Sequence, residues 1–234
     1  MNIDISYDFR KDSKGKDPDQ HSPTLRKYHK LLWSKPLPNG QIFTLDDSIP
    51  GIYLKHSSDL GDFNMSSDTV IPTFSKWKRM THITQALPPG KLEHFVHTAY
   101  SIRGMMIFPS NQVDGKPTIN GERGFNQKIG DRMDLTLECI RRYYLGAQSP
   151  LSETLTRYKN FFDIFGNFRG YVEFFLLNDM VSDNYLEVKF FKDFDNFITP
   201  PYPIDINDYN SYMQNTVNFI NARNQRIVIF ENII

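Results

Sequence analysis

Apolar and polar residues alternate from Ile3 to Phe9 (Ile, Asp, Ile, Ser, Tyr, Asp, Phe), the period of a strand with one buried face. RKDSKGKDPDQ follows, nearly all charge, Gly and Pro, and predicts an exposed loop. From Pro23 the period changes: Leu25, Tyr28 and Leu32 recur at i, i+3 and i+7, Ser22 is a suitable N-cap, and Pro23 fits the first helical position. This helix ends by Ser34, because Pro36 disfavours helical geometry in the residue before it. KPLPNGQ then turns into a short strand over residues 41–45.

Residues 46–92 are the least regular. IPGIYLKH predicts a strand over 52–55, and SDLGDFNMSSDTVIP predicts turns with one or two short strands. EHFVHTAYSIRGMMIFP, residues 93–109, reads as extended structure in which Gly104 marks a bulge or a close backbone approach. A charged loop with several glycines, residues 110–130, leads into a helical half, and a boundary between two lobes would fall there. Helices are predicted over 131–145 (Asp131 as cap, Gly146 as the left-handed residue after it), 151–165, 169–181 and 208–223. The third is apolar nearly all round, which predicts burial on most faces. LEVKFF (186–191) and QRIVIF (225–230) predict strands from their β-branched and aromatic content. Helices and strands mix without strict βαβ alternation. The expected fold is therefore α+β, a mostly antiparallel sheet packed by four or five helices, in a single domain spanning 1–234.

Composition fits this picture: 234 residues, 39% of them hydrophobic, can bury roughly 70% of the unfolded surface. The charges balance, 27 basic against 27 acidic, which argues against duplex nucleic acid as a partner. They are unevenly placed, however. Residues 75–145 carry 11 basic and 6 acidic side chains, residues 146–234 carry 7 and 11. A single cysteine, Cys139, excludes an intrachain disulfide and a thiolate zinc site, and points to a reducing cytoplasm. The start has no apolar signal segment, and no apolar run approaches the about 20 residues needed to span a bilayer, so no membrane partner is expected.

Phosphate-binding, dinucleotide, zincin and nucleophile-elbow motifs are all missing from the sequence. Among the histidines, His94 and His97 share a face only on a helix, so an extended 93–109 gives no metal pair and no metal site is expected. His21 and His29, at and within the first helix, are candidates for proton transfer. On the helix over 131–145, Met133, Leu137, Ile140 and Tyr144 form a buried stripe, opposite Glu138 and Arg142 in an acid-first i, i+4 order. In the loop before it, Gly121, Gly124 and Gly130 surround Arg123, a pattern that suits an anion held by a guanidinium and backbone N–H groups. Arg103, beside Gly104, is a second arm, with Arg132 and Arg142 completing the ligand-binding set. Asp131 and Asp134 at the helix start oppose an anion there. Ser66-Ser67-Asp68 reads first as a turn or cap. Glu173, in the most apolar helix, needs a partner, for which Arg169 one turn earlier is placed. Unpaired, it would be a general acid or base, as Glu138 would.

HSPTLRKYHKLLWSKPLPNG, SSDTVIPTFSKW, DRMDLTLECIRRYY and FRGYVEFFLLND together resemble an uncharacterised, mainly bacterial family of about this length, a domain of unknown function. The resemblance spans most of the chain. It implies a bacterial protein forming one unit, and it carries no mechanism, cofactor or site residues. The residues themselves predict a protein that binds a small anionic, phosphate- or nucleotide-like ligand, with enzymatic activity left open. The alternative is a non-enzymatic interaction module that meets a protein partner through Trp33 and Trp77. Single-stranded nucleic acid would need a continuous basic aromatic groove.

Overall fold

The computed structural model describes residues 3–231, with side chains to residue 228. Its N-terminal segment alternates in burial only as far as Tyr7, since Asp8 is buried beside Phe9, and it pairs with no strand among the described residues. Asp4 closes a turn instead, its Oδ1 accepting from the Ser6 N–H at 3.0 Å, while its own N–H donates to Tyr28 Oη. The charged loop then gives a 3-10 turn, Phe9–Lys11, and a short helix α1, Pro18–His21. Helix α2, Pro23–Trp33, forms as its sequence predicts. Ser22 Oγ accepts from the Leu25 N–H at 3.0 Å, and Leu25, Tyr28, Leu32 and Trp33 are buried.

Two small antiparallel sheets follow. β1 (Lys35–Pro36) pairs with β2 (Ile42–Phe43). β3 (Leu54–Ser58), β4 (Gly61–Thr69) and β5 (Met105–Pro109) form the second, with β4 in the centre. Ser66-Ser67-Asp68 is the end of that central strand and not a turn, in register with Phe108, Ile107 and Met106. Residues 93–109 are only partly extended. Helices α3 (Thr81–Thr84) and α4 (Lys91–Ala99) precede β5, because Phe95 and Ala99, one turn apart, share a buried face. Gly104 is a close approach, since a Cβ there would lie 2.5 Å from the Ala99 carbonyl oxygen.

The loop expected over 110–130 carries α5, Ile119–Phe125, capped by Thr118 and packed on β5. α6 (Met133–Tyr144) starts two residues later than expected, and Gly146 after it is left-handed as expected, at φ +68°. The helix predicted over 151–165 is broken at Tyr158 into α7 (Ser152–Arg157) and α8 (Lys159–Asp163). The apolar helix predicted to residue 181 stops early: α9 is Phe168–Phe174, and Leu176 turns left-handed at φ +55°. Its aromatics pack on Trp33, with the Phe175 ring centroid 5.4 Å away.

Residues 186–191 contribute one isolated bridge, Val181 to Val188. Residues 225–230 are helical, not a strand: α10 runs Ile206–Glu231. Buried Tyr209, Tyr212, Met213, Thr216, Phe219, Ile220, Arg223 and Ile227 keep helical spacing through that stretch, and this overrides the β-branched content of QRIVIF. The fold is α+β, with more helices than expected, most of them shorter and the last one longer, and two small sheets in place of one.

Candidate functional site

Three arginines expected to bind a ligand directly are instead committed to partners within the protein, behind the lining of a cleft. Arg123 on α5 is fully buried. Its Nε donates to Thr136 Oγ1 at 2.9 Å, Nη1 to Asp68 and Asn120, and Nη2 to the Asp131 carbonyl at 2.8 Å. Arg132 is buried against Asp134 in a fork-to-fork pair, and its Nη1 donates to the Pro201 carbonyl at 2.9 Å. Arg142 donates from Nε to Glu138 and from Nη2 to Asn196 Oδ1 at 2.8 Å, and lies over the Phe197 ring. Arg103 stands apart, donating to Ser101 Oγ at 3.1 Å. The four guanidiniums do not converge on one point. Arg132 and Arg142 fasten the 194–202 segment, and Arg123 fastens Asp131.

Between that segment and the loop after α5 lies a cleft of about 430 Å³, floored by Trp77. Gly130 and Asp131 are both left-handed, at φ +53° and +65°, so the chain turns sharply into α6. Asp131 therefore does not cap that helix; Arg132 occupies the cap position without a side-chain cap bond. Gly130 is needed for a second reason: a Cβ there would sit 2.5 Å from Pro201 Cγ, in the opposite wall. Trp77 and Tyr202 meet edge to face, ring centroids 6.0 Å apart. Arg79 lies over both, its Cζ 5.0 Å from the Trp77 ring and 4.6 Å from the Tyr202 ring. Its guanidinium makes no hydrogen bond or ion pair with another described residue. Lys128 is the second cation of the cleft, and no carboxylate lines it among the described residues. Two aromatic faces thus lie beneath an exposed planar cation whose N–H edges bond no described residue.

On the other side of Trp77 is a smaller polar hollow, about 210 Å³, lined by Arg10, Asp68, Thr73, Ser75, Tyr100 and Asp131 among others. Asp68 and Asp131 meet there carboxyl to carboxyl, with Arg123 behind them. Burial raises Asp131 to about 7. Arg123 opposes that rise, and the charge of Asp68 and the hydrogen bond between the two carboxyls add to it. Such a pair shares a proton near neutrality. Phe74, also left-handed at φ +55°, lines the same hollow, so two non-glycine residues of unfavourable backbone geometry border it. Asp19 lies nearby. Burial raises it to about 7, although it accepts from the Ser67 N–H and hydroxyl.

The other candidates are scattered. His29 is buried, its Nδ1 accepts from Trp33 Nε1 at 3.1 Å, and burial pushes it down to about 3, so it is neutral at physiological pH, with its single ring proton on Nε2. His21 ends α1, away from both hollows' linings. Glu138 is clamped between Arg141 and Arg142. Glu173 is exposed; a hydrogen bond from Arg169 holds it below the usual carboxylate range, and Tyr185 Oη also donates to it. His94 and His97 share the helix α4, where His97 Nδ1 lies 3.2 Å from Asp8 Oδ2. No group of three metal-ligating side chains occurs among the described residues. Trp33 is fully buried and offers no surface; Trp77 is half-buried in the cleft.

Sequence reasoning missed Arg79, Lys128, Phe125, Ile198 and Tyr202. Trp77 and Arg79 were the available signal, an aromatic two residues from a cation on a segment without acid. One family profile matches residues 3–227. The chain belongs to this family of unknown function, DUF6994. No curated protein and no solved structure matches it.

Proposed function

We propose that the protein binds a small anionic, phosphate- or nucleotide-like ligand in the cleft of Trp77, Arg79, Lys128 and Tyr202. The observation that carries this reading is Arg79: an exposed guanidinium lying over two rings, with unused donors, in a cleft that no carboxylate lines among the described residues. Fixing the cation beforehand lowers the ordering cost of binding. The volume is within the range of small-ligand sites. Titration calorimetry with inorganic phosphate and nucleoside monophosphates tests it. Binding should weaken at least about tenfold in Arg79→Ala, or ~1.4 kcal/mol. Equal affinity in wild type and variant defeats the proposal.

A second reading, that the protein is an enzyme, is favoured by the carboxyl pair beside the cleft. Asp131, raised to about 7, is matched to proton transfer near neutral pH, with Asp68 as its partner. Loss of turnover in Asp131→Asn with binding retained would support it. We also assign the protein to the bacterial cytoplasm, on its lone buried Cys139 and on the resemblance noted from its sequence. No helix among the described residues is long and apolar enough to cross a membrane.

A further inference from the structure

Phe125 and Ile198 are the most exposed large hydrophobic residues of the described chain after none but each other, at 80% and 81%. They come from different segments, the end of α5 and the 194–202 turn, yet both line the cleft of Arg79. Neither is there for the core. The buried residues of α5 are Ile119 and Arg123, and the turn buries Phe197.

The turn that presents Ile198 is a built feature. Asn196 and Phe197 are both left-handed, at φ +62° and +64°, a costly backbone for two non-glycine residues in succession. Asp195 holds the turn by accepting from the Ile198 N–H at 3.0 Å and the Thr199 N–H at 2.9 Å. Arg142 holds it from behind, through Asn196 and the Phe197 ring. The result puts Phe197 inside and Ile198 outside, beside the cations.

We infer that the anion taken by this cleft carries a flat apolar or aromatic group, which lies against Phe125 and Ile198 while Arg79 and Lys128 hold the charged end. The inference rests on the anion-binding reading and names the class within it: an aryl or heteroaryl phosphate or carboxylate, in preference to a bare inorganic anion. Charge complementarity selects such an occupant over a purely apolar one, because the two exposed cations, with no carboxylate among the described lining residues, have donors that an anionic group can take up and a hydrocarbon cannot. The exposed pair selects it over inorganic phosphate, which gains nothing from apolar surface.

The full chain is titrated calorimetrically with methyl phosphate and phenyl phosphate, as wild type and as Phe125→Ala, Ile198→Ala and Arg79→Ala. Phenyl phosphate should bind wild type about tenfold more tightly than methyl phosphate. Phe125→Ala and Ile198→Ala should each narrow that ratio severalfold; both side chains are exposed, so these variants fold. Arg79→Ala should weaken both ligands together. Equal affinities of the two ligands for wild type overturn this inference and leave the anion site standing. Absence of binding by either ligand overturns both. Phenyl phosphate binding that survives Arg79→Ala, or a wild type that light scattering shows as a dimer and Phe125→Ala as a monomer, assigns the apolar pair to another occupant and also overturns it.

Discussion

The carboxyls of Asp131 and Asp68 meet in front of the guanidinium of Arg123, which lies 3.5 Å from the first and 3.3 Å from the second. One cation behind two carboxyls leaves a surplus negative charge, which a retained proton on Asp131 removes. That proton has a thermodynamic signature. The native state holds it up to about pH 7, the unfolded chain only to its ordinary value of 3.8. The stability it contributes is therefore fully present below the unfolded value and is lost as pH rises toward 7. Asp131→Asn should flatten this decline, so that its stability relative to wild type grows between pH about 4.5 and 7.5, by at least about 1 kcal/mol. Urea unfolding at the two pH values measures it. A variant whose pH dependence matches wild type rules out the shared proton.

Gly130→Ala should be destabilising by about 1–3 kcal/mol, because the residue is left-handed and its new methyl meets Pro201. It should also weaken phosphate binding by pushing the cleft wall outward. A thermal melt with and without phosphate separates the two effects, and an unchanged ligand-induced shift would contradict the second.

Arg132→Lys tests whether a buried ion pair positions the cleft. Lysine keeps the charge beside Asp134 but lacks the fork that also reaches the Pro201 carbonyl. Phosphate affinity should fall severalfold although Arg132 does not line the cleft. Arg169→Lys, on the exposed Glu173 pair far along the chain, serves as the control and should change nothing. Equal affinity in Arg132→Lys and wild type would mean that the wall does not depend on this anchor.

Lys35 should be an unusually reactive amine. It lies over the Trp33 and Phe174 rings at the edge of a hollow of about 530 Å³. Burial, aided by Arg223 behind the rings, lowers it to about 7. At pH about 7.5 most of it is unprotonated, where an ordinary lysine is almost wholly charged. Acylation mapped by peptide mass spectrometry should label Lys35 ahead of exposed lysines such as Lys78, and the preference should disappear as pH approaches 10. Uniform labelling at both pH values would refute it.

Local chemistry made some of this legible in advance. Ser22 and Pro23 fixed the start of α2 because capping depends on neighbours in sequence, and the stripe of Met133, Leu137 and Ile140 fixed α6 for the same reason. Residues 3–9 and 225–230 misled because a pattern does not supply a partner. The first had no strand to pair with, and the second was already committed to α10 by residues up to three turns earlier. The site followed the same division. Glycines and arginines clustered around residue 123 marked the right neighbourhood. Whether a guanidinium points inward or outward, however, is set by distant groups: Asp68 lies 55 residues from Arg123 and Pro201 lies 69 from Arg132. Arg79 drew no attention because its fixing rings, Trp77 and Tyr202, come together only in the fold.

Ser67 and Asp68, consecutive at the end of β4, point to opposite sides of the sheet. Each meets a carboxyl that keeps its proton to about neutrality, Asp19 on one side and Asp131 on the other. The tip of this one strand thus touches two carboxyls that titrate near neutrality. As the surroundings turn alkaline it gains up to two negative charges, one on each side of the sheet. Under the anion-binding reading proposed for the neighbouring cleft, occupancy is then expected to be strongest on the acid side of neutral, with the strand acting as the dial.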